Sequence, residues 1–118
     1  MRYAIFGAGK SAQSARLVAD NMGIEVVLFD EAEEGDQNSF DRKDLLKFDC
    51  LIFSPGFSAV HPWRVLAEGS GLPCLSEIAF AAKYWKGRII GVTGTNGKST
   101  VTVLIKEALE LAGYQSCL

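Results

Sequence analysis

A chain of 118 residues that is 48% hydrophobic and 22% charged has the composition of one modest folded domain, which excludes a disordered segment. Its net charge of −2 gives no basic field for a nucleic-acid backbone, and no apolar run reaches the roughly 18 residues of a membrane helix. Three cysteines without a C-x-x-C pair exclude a disulfide-dense scaffold and imply a reducing, cytoplasmic setting, with Cys50, Cys74 and Cys117 as free, mostly buried thiols.

Arg2 to Phe6 reads as a short strand, too brief for the apolar core of a signal peptide, and Gly7 to Lys10 as a turn. Ser11 is expected to cap a helix to about Met22, with Ala15, Val18, Ala19 and Met22 at helical spacing and Gly23 as its stop. Glu25 to Asp30 is a nearly continuous apolar run, the signature of a strand buried on both faces. An acidic loop from Glu31 to Asp36 and a weak helix around Asp41 to Lys47 follow. Cys50 to Phe53 is a third strand, ended by Ser54-Pro55-Gly56. A helix begins near Pro62 and stops at Gly69 or Gly71. Pro73 to Leu75 is a fourth strand, and Ser76 caps a helix to about Tyr84.

The pattern then restarts. Arg88 to Thr93 reads as a strand, Gly94 to Gly97 as a tight loop, and Lys98 to Ala112 as an amphipathic helix with Gly113 at its C′ position. Tyr114 to Leu118 would begin another strand. Alternating strands and helices predict an α/β fold, a Rossmann-like doubly wound parallel sheet over residues 1–87. Residues 88–118 would be the first strand, phosphate loop and helix of a second domain, cut short because one strand and one helix cannot bury both strand faces.

Two glycine-rich turns carry the chemistry. Gly7-Ala8-Gly9-Lys10-Ser11-Ala12 is a G-x-G-x-x-A between strand and helix, with Asp30 about twenty residues on. Gly7 permits the tight turn, Gly9 admits a pyrophosphate to the backbone, and Ala12 lets the helix pack closely. The helix N-terminus supplies N–H donors, and Asp30 suits a ribose diol or base edge. Ala4-x-x-x-x-Gly9-Lys10-Ser11 also resembles a relaxed P-loop, but Ala4 falls inside the strand, so the dinucleotide-type turn is favoured. The second turn, Gly94-Thr95-Asn96-Gly97-Lys98-Ser99-Thr100, follows a strand-like run. Its backbone N–H groups would cradle a phosphate, Lys98 would neutralise it and Ser99 would offer a hydroxyl to Mg²⁺. The bland account of each is a glycine turn with no ligand.

Smaller features invite smaller claims. His61, the only histidine, precedes Pro62 and reads as a cap or packing residue. Ser54-Pro55-Gly56 lies where a parallel strand ends, the place where open α/β sheets bind ligands. Trp63 and Trp85 are expected in helices as packing residues. Glu31, Glu33, Glu34 and Asp36 are expected to form a solvated loop without calcium-loop spacing.

Together, Gly7 to Ser11, Ser54-Pro55-Gly56 with His61-Pro62, Ser76-Glu77-Ile78 and Gly94 to Thr100 make the chain resemble the start of a Mur ligase. These are ATP-dependent amide-forming enzymes of peptidoglycan precursor synthesis, and the likeness is to the branch that adds D-glutamate. The resemblance implies that the first domain binds UDP-N-acetylmuramoyl-L-alanine. Gly7, Gly9, Lys10 and Ser11 would hold its pyrophosphate, Asp30 its uridine, and Ser54, Pro55 and Gly56 would complete the site. It implies ATP and Mg²⁺ at Gly94, Thr95, Asn96, Gly97, Lys98, Ser99 and Thr100, with Lys98 catalytic and Ser99 on the metal. The muramoyl carboxylate would pass through an acyl phosphate to the amine of D-glutamate, whose site lies outside these residues. Ala12 stands where the family often has glycine, a harmless change, and Glu31-Ala32 differ from the polar or basic residues that some members place against the uracil.

Two readings compete with a ligase: a nicotinamide-dependent oxidoreductase, and a regulatory nucleotide-binding module without chemistry. The oxidoreductase reading leaves Gly94 to Thr100 unexplained. An unfinished sheet with exposed edges also makes pairing of two copies an expectation.

Overall fold

Alternating strand and helix signals lead to parallel pairing, and parallel pairing is what forms. The computed structural model describes all 118 residues as two units, Met1–Lys86 and Gly87–Leu118. In the first, β1 (Arg2–Phe6), β2 (Glu25–Phe29), β3 (Cys50–Phe53) and β4 (Cys74–Ser76) form an all-parallel sheet in the order β2-β1-β3-β4. The connections carry α1 (Lys10–Asn21), α2 (Pro62–Glu68) and, after β4, α3 (Glu77–Tyr84).

The period of two along each strand separates two cores. Tyr3, Ile5, Val26, Leu28, Cys50 and Ile52 pack with Ala12, Ala15 and Ala19 of α1 and Phe80 of α3. Ala4, Phe6, Val27, Phe29, Leu51 and Phe53 pack with Phe40, Phe48 and, from α2, Trp63 and Ala67. Both sheet faces are therefore covered, which explains the unbroken apolar runs. The α1 stripe is made of alanines, which bring the helix close. Val18 and Met22, expected on that face, are exposed.

The ends of α1 follow from local chemistry. Gly23 has φ 71°, a left-handed conformation that only glycine adopts cheaply. There the Gly23 N–H reaches the Asp20 carbonyl and the Ile24 N–H the Ala19 carbonyl, both at 3.0 Å, closing the helix in a Schellman motif. At the other end Gly9, not Ser11, is the N-cap, because the helix starts at Lys10 and places Ser11 inside its first turn. Pro62 begins α2, and Ser76 caps α3 with its Oγ accepting the Ala79 N–H at 3.1 Å, as the sequence suggests.

Other differences from expectation are local. The weak helix over 41–47 is only a 3₁₀ turn, Asp44–Lys47. The Asp41 carboxylate takes the Lys43 N–H at 2.7 Å and the Asp44 carboxylate takes the Asp41 N–H at 2.9 Å, side-chain bonds that compete with a longer helix. Trp63 is buried in α2, but Trp85 lies past the end of α3 and is half exposed. In the second unit, α4 (Lys98–Leu111) forms as expected, with Gly113 following its end. Residues 88–93 and 114–118 are not strands: a strand exists only with a ladder partner, and none pairs with them. Ile89 and Ile90 are accordingly exposed, as are Val101 and Leu104 of α4. No helix is long and apolar enough to cross a membrane.

Phe6 sits at the centre of the second core, fully buried, with ring centroids 4.5 Å from Phe53, 4.8 Å from Phe40 and 5.4 Å from Phe29. Phe6→Ala is expected to cost about 3–5 kcal/mol in urea unfolding. Leu46→Ala, at a side chain 92% exposed, should stay within about 0.5 kcal/mol. Of the three free thiols, Cys50 is buried, Cys74 half-buried and Cys117 exposed. Burial pushes the Cys50 and Cys74 thiols above their ordinary range. Alkylation of the native protein near pH 8 should therefore modify Cys117 first, with Cys50 reacting only after denaturation, as read by mass spectrometry.

Candidate functional site

Register builds the site. Phe6 pairs level with Phe29 on one side and Phe53 on the other, and Phe53 with Ser76. The next residue of each segment therefore emerges in one row along the carboxyl edge of the sheet: Gly7, Asp30, Ser54 and Glu77. The order β2-β1-β3-β4 reverses its direction of growth between β1 and β3, so Gly7 and Ser54 flank the crevice where such sheets bind ligands.

Gly7 has φ 117°, and an added Cβ would lie 2.5 Å from Ser54 Oγ, so both conformation and space demand glycine. Its N–H donates to the Phe29 carbonyl at 2.8 Å, and the Ser54 N–H to the Phe6 carbonyl at 3.1 Å, which ties the row across three strands. Gly9 has an ordinary φ of −67°, and a Cβ there would meet nothing within 4 Å. The protein does not need glycine at Gly9 for its own packing; open space lies there instead. No side chain caps α1 and no acid sits in its first turn, so the leading N–H groups and the exposed Lys10 and Ser11 face an anion-friendly helix end. Ala4 is fully buried within β1, which leaves Gly7 to Gly9 as the whole loop and disfavours the P-loop alternative there.

Asp30 lies just beyond β2, where its Oδ1 accepts the Ala32 N–H at 2.8 Å. The acidic loop beyond it is built, not merely solvated. Asp36 Oδ2 accepts the Leu28 N–H at 2.9 Å, and both Asp36 oxygens lie 3.0 Å from Arg16 Nη1. Glu31 pairs with His61 Nε2 at 3.2 Å. His61 Nδ1 accepts the Trp63 N–H at 3.1 Å, so the histidine is the cap of α2, as its sequence position suggests. Ser54-Pro55-Gly56 is a turn closed by the Phe57 N–H on the Ser54 carbonyl at 2.9 Å, with Pro55 and Gly56 exposed. Ser54 Oγ hydrogen-bonds Glu77 Oε1.

The second unit holds its own loop. Gly97 is the N-cap of α4, again without a side-chain cap, and Thr95 to Thr100 are exposed. Lys98 Nζ donates to the Gly94 carbonyl at 2.6 Å, so the lysine folds back over the loop that precedes it. Ser99 and Thr100 lie in the first turn of α4.

Known proteins resemble the chain along most of its length. No family model matches the chain. It is 31% identical over 121 residues to the UDP-N-acetylmuramoylalanine--D-glutamate ligase of Lachnospira eligens, covering 89% of this chain and 27% of that protein. The ligase of the same name from Bifidobacterium longum is 35% identical over 124 residues, covering 95% of this chain and 25% of the relative. Over nearly its whole length the chain is thus similar to ligases of the Mur family. It spans about a quarter of the length of the curated relatives it matches.

The sequence alone assigns no chemistry to Glu77, although it is the one charged side chain buried, at 6% exposed. An acid after a cap serine reads as an ordinary complement to the helix dipole, and only the sheet register shows that it joins the row. Gly7→Ala is expected to lower stability by about 1–3 kcal/mol through its positive φ and the clash with Ser54. Gly9→Ala should change stability by less than about 1 kcal/mol, because the gain from a stiffer unfolded chain opposes alanine's poorer capping of α1; both variants are read by thermal and urea unfolding.

Proposed function

We propose that this chain is the nucleotide-binding part of an ATP-dependent Mur ligase of peptidoglycan synthesis, the enzyme that joins D-glutamate to UDP-N-acetylmuramoyl-L-alanine. The observation that carries the reading is the row Gly7, Asp30 and Ser54 beside an uncapped helix at the strand-order reversal. Its support is the lineage, whose members bear that ligase name.

In this reading, residues 1–87 take the UDP end. The α1 N-terminus with Gly7, Gly9, Lys10 and Ser11 receives the pyrophosphate, and Asp30 keeps its Oδ2 for the uridine. Ser54, Pro55 and Gly56 border the sugar side. Residues 88–118 open an ATP-binding domain. The donor set fits a triphosphate with Mg²⁺: an ammonium at Lys98, a hydroxyl at Ser99, and open backbone at Gly94 and Gly97, where a Cβ would meet little or nothing. Thr95, Asn96 and Thr100 complete the loop. ATP supplies the phosphoryl group that activates a carboxylate, and the chain's own contribution is to position and neutralise it. Lys98 would exchange its bond to the Gly94 carbonyl for phosphate oxygens.

The family route, in which a carboxyl group becomes an acyl phosphate that the D-glutamate amine displaces, needs three reactants in line. Such alignment supplies roughly 7–11 kcal/mol of a barrier. Residues 1–118 alone are therefore expected to bind without turnover. An oxidoreductase reading accounts for the first loop but gives Gly94 to Thr100 no task.

Calorimetric titration with UDP-N-acetylmuramoyl-L-alanine, NAD and ATP, each alone, tests the proposal. The UDP ligand should bind in preference to NAD, and ATP weakly. Lys98→Ala should weaken ATP roughly 10- to 100-fold, the loss of one charge-assisted contact of about 1.5–3 kcal/mol. Tight NAD binding with silence toward the UDP ligand would overturn the reading.

A further inference from the structure

A carboxylate taken from water costs several kcal/mol unless hydrogen bonds replace its hydration. Glu77 is buried with one oxygen on Ser54 Oγ and the other, Oε2, without any partner. Helix capping does not require it, because Ser76 makes the cap of α3. Gly7 is shaped around the pair, since any side chain there would strike Ser54 Oγ.

We propose that Glu77 is a positioning residue that fixes the Ser54 hydroxyl, so that Ser54 meets the ligand as an acceptor and selects a sugar hydroxyl or amide N–H over a phosphate oxygen. The inference rests on reading the first unit as a UDP-sugar site. A serine hydroxyl has one proton and two lone pairs, and a carboxylate only accepts. The proton is therefore committed to Glu77, and lone pairs are what Ser54 has left.

The surroundings agree. Ser54 lines a cavity of about 270 Å³ with Ser76, Arg64 and Glu68. Arg64, the cation there, is already engaged: its Nε donates to Glu68 Oε1 at 2.8 Å and its Nη1 to the Phe57 carbonyl at 3.1 Å. A phosphate there would meet the Glu68 carboxylate, and the one cation, Arg64, is already paired. The anion-friendly end of α1, with Lys10, lies across the row after β1. The row thus sorts a nucleotide sugar by charge, diphosphate beside β1 and neutral donors beside β3.

The test titrates UDP and UDP-N-acetylglucosamine into the 118-residue chain and its variants by calorimetry. The wild type should prefer the UDP-sugar. Ser54→Ala should weaken the UDP-sugar about tenfold, the scale of one hydrogen bond, and leave UDP within about twofold. Glu77→Met keeps volume but frees the Ser54 proton, and should reduce the preference by moving the two ligands in opposite directions. Glu77→Gln, whose carbonyl still accepts from Ser54, should retain it. Equal weakening of both ligands by Ser54→Ala would place the serine on a phosphate and overturn the inference. So would an unaltered preference in a folded Glu77→Met. Should that variant fail to fold by circular dichroism, the Ser54→Ala comparison decides alone. A wild type that binds UDP without preferring the sugar overturns this inference only. One that binds neither overturns the UDP-sugar reading as well.

Discussion

Parallel hydrogen bonding sets Phe6 level with Phe29 and Phe53, and those three rings close one end of a core before the chain turns away. The level ends matter more than any single contact. They deliver a glycine, an aspartate, a serine and a glutamate to one edge from segments far apart in sequence. The flat aromatic stack beneath them is close-packed, so a slip of one residue in any strand would exchange its two buried sets between the cores, mismatch their packing and break the row. The site's precision is thus inherited from the sheet, and loops supply only the last residue or two.

The two glycine loops illustrate different degrees of self-sufficiency. The first is bound into a sheet on both sides through Gly7 and Ser54. The second carries its helix, its cap and a lysine closed on its own carbonyl, all from local sequence. What it lacks within its unit is apolar cover: α4 has no buried residue, although its apolar positions recur at helical spacing. Local rules make a loop and a helix, and long-range burial makes a core.

How much was readable from sequence follows the same division. Strand positions in residues 1–87, both glycine-rich turns, the Ser76 and His61 caps and the glycine stops are encoded within a few residues, and they emerge where expected. Residues 88–93 read as a strand and form none, because a β-branched run says nothing about whether a partner is present. Ser11 was misread as a cap because Gly9 has no side chain to advertise itself. Asp36 looked like one more acid in a solvated run, yet it binds the Leu28 N–H eight residues back. Glu77 was opaque for the deepest reason, since its burial depends on β3 and β4 meeting in register.

Asp36 also has a consequence for how copies of the chain meet. β2 is an outer strand, and an outer strand normally offers a row of unpaired N–H and C=O groups that recruit strands from other molecules. Here Asp36 occupies the Leu28 N–H with its carboxylate, the Leu28 carbonyl receives the Asp36 and Gln37 N–H groups, and the Asp30 N–H reaches the Gln37 carbonyl. The seam is closed by the chain's own loop and carries a negative charge paired to Arg16. The opposite edge, β4, is only three residues long. A sheet whose margins are stitched from Leu28 onward at one side and brief at the other gives strand pairing between copies little template in the first unit.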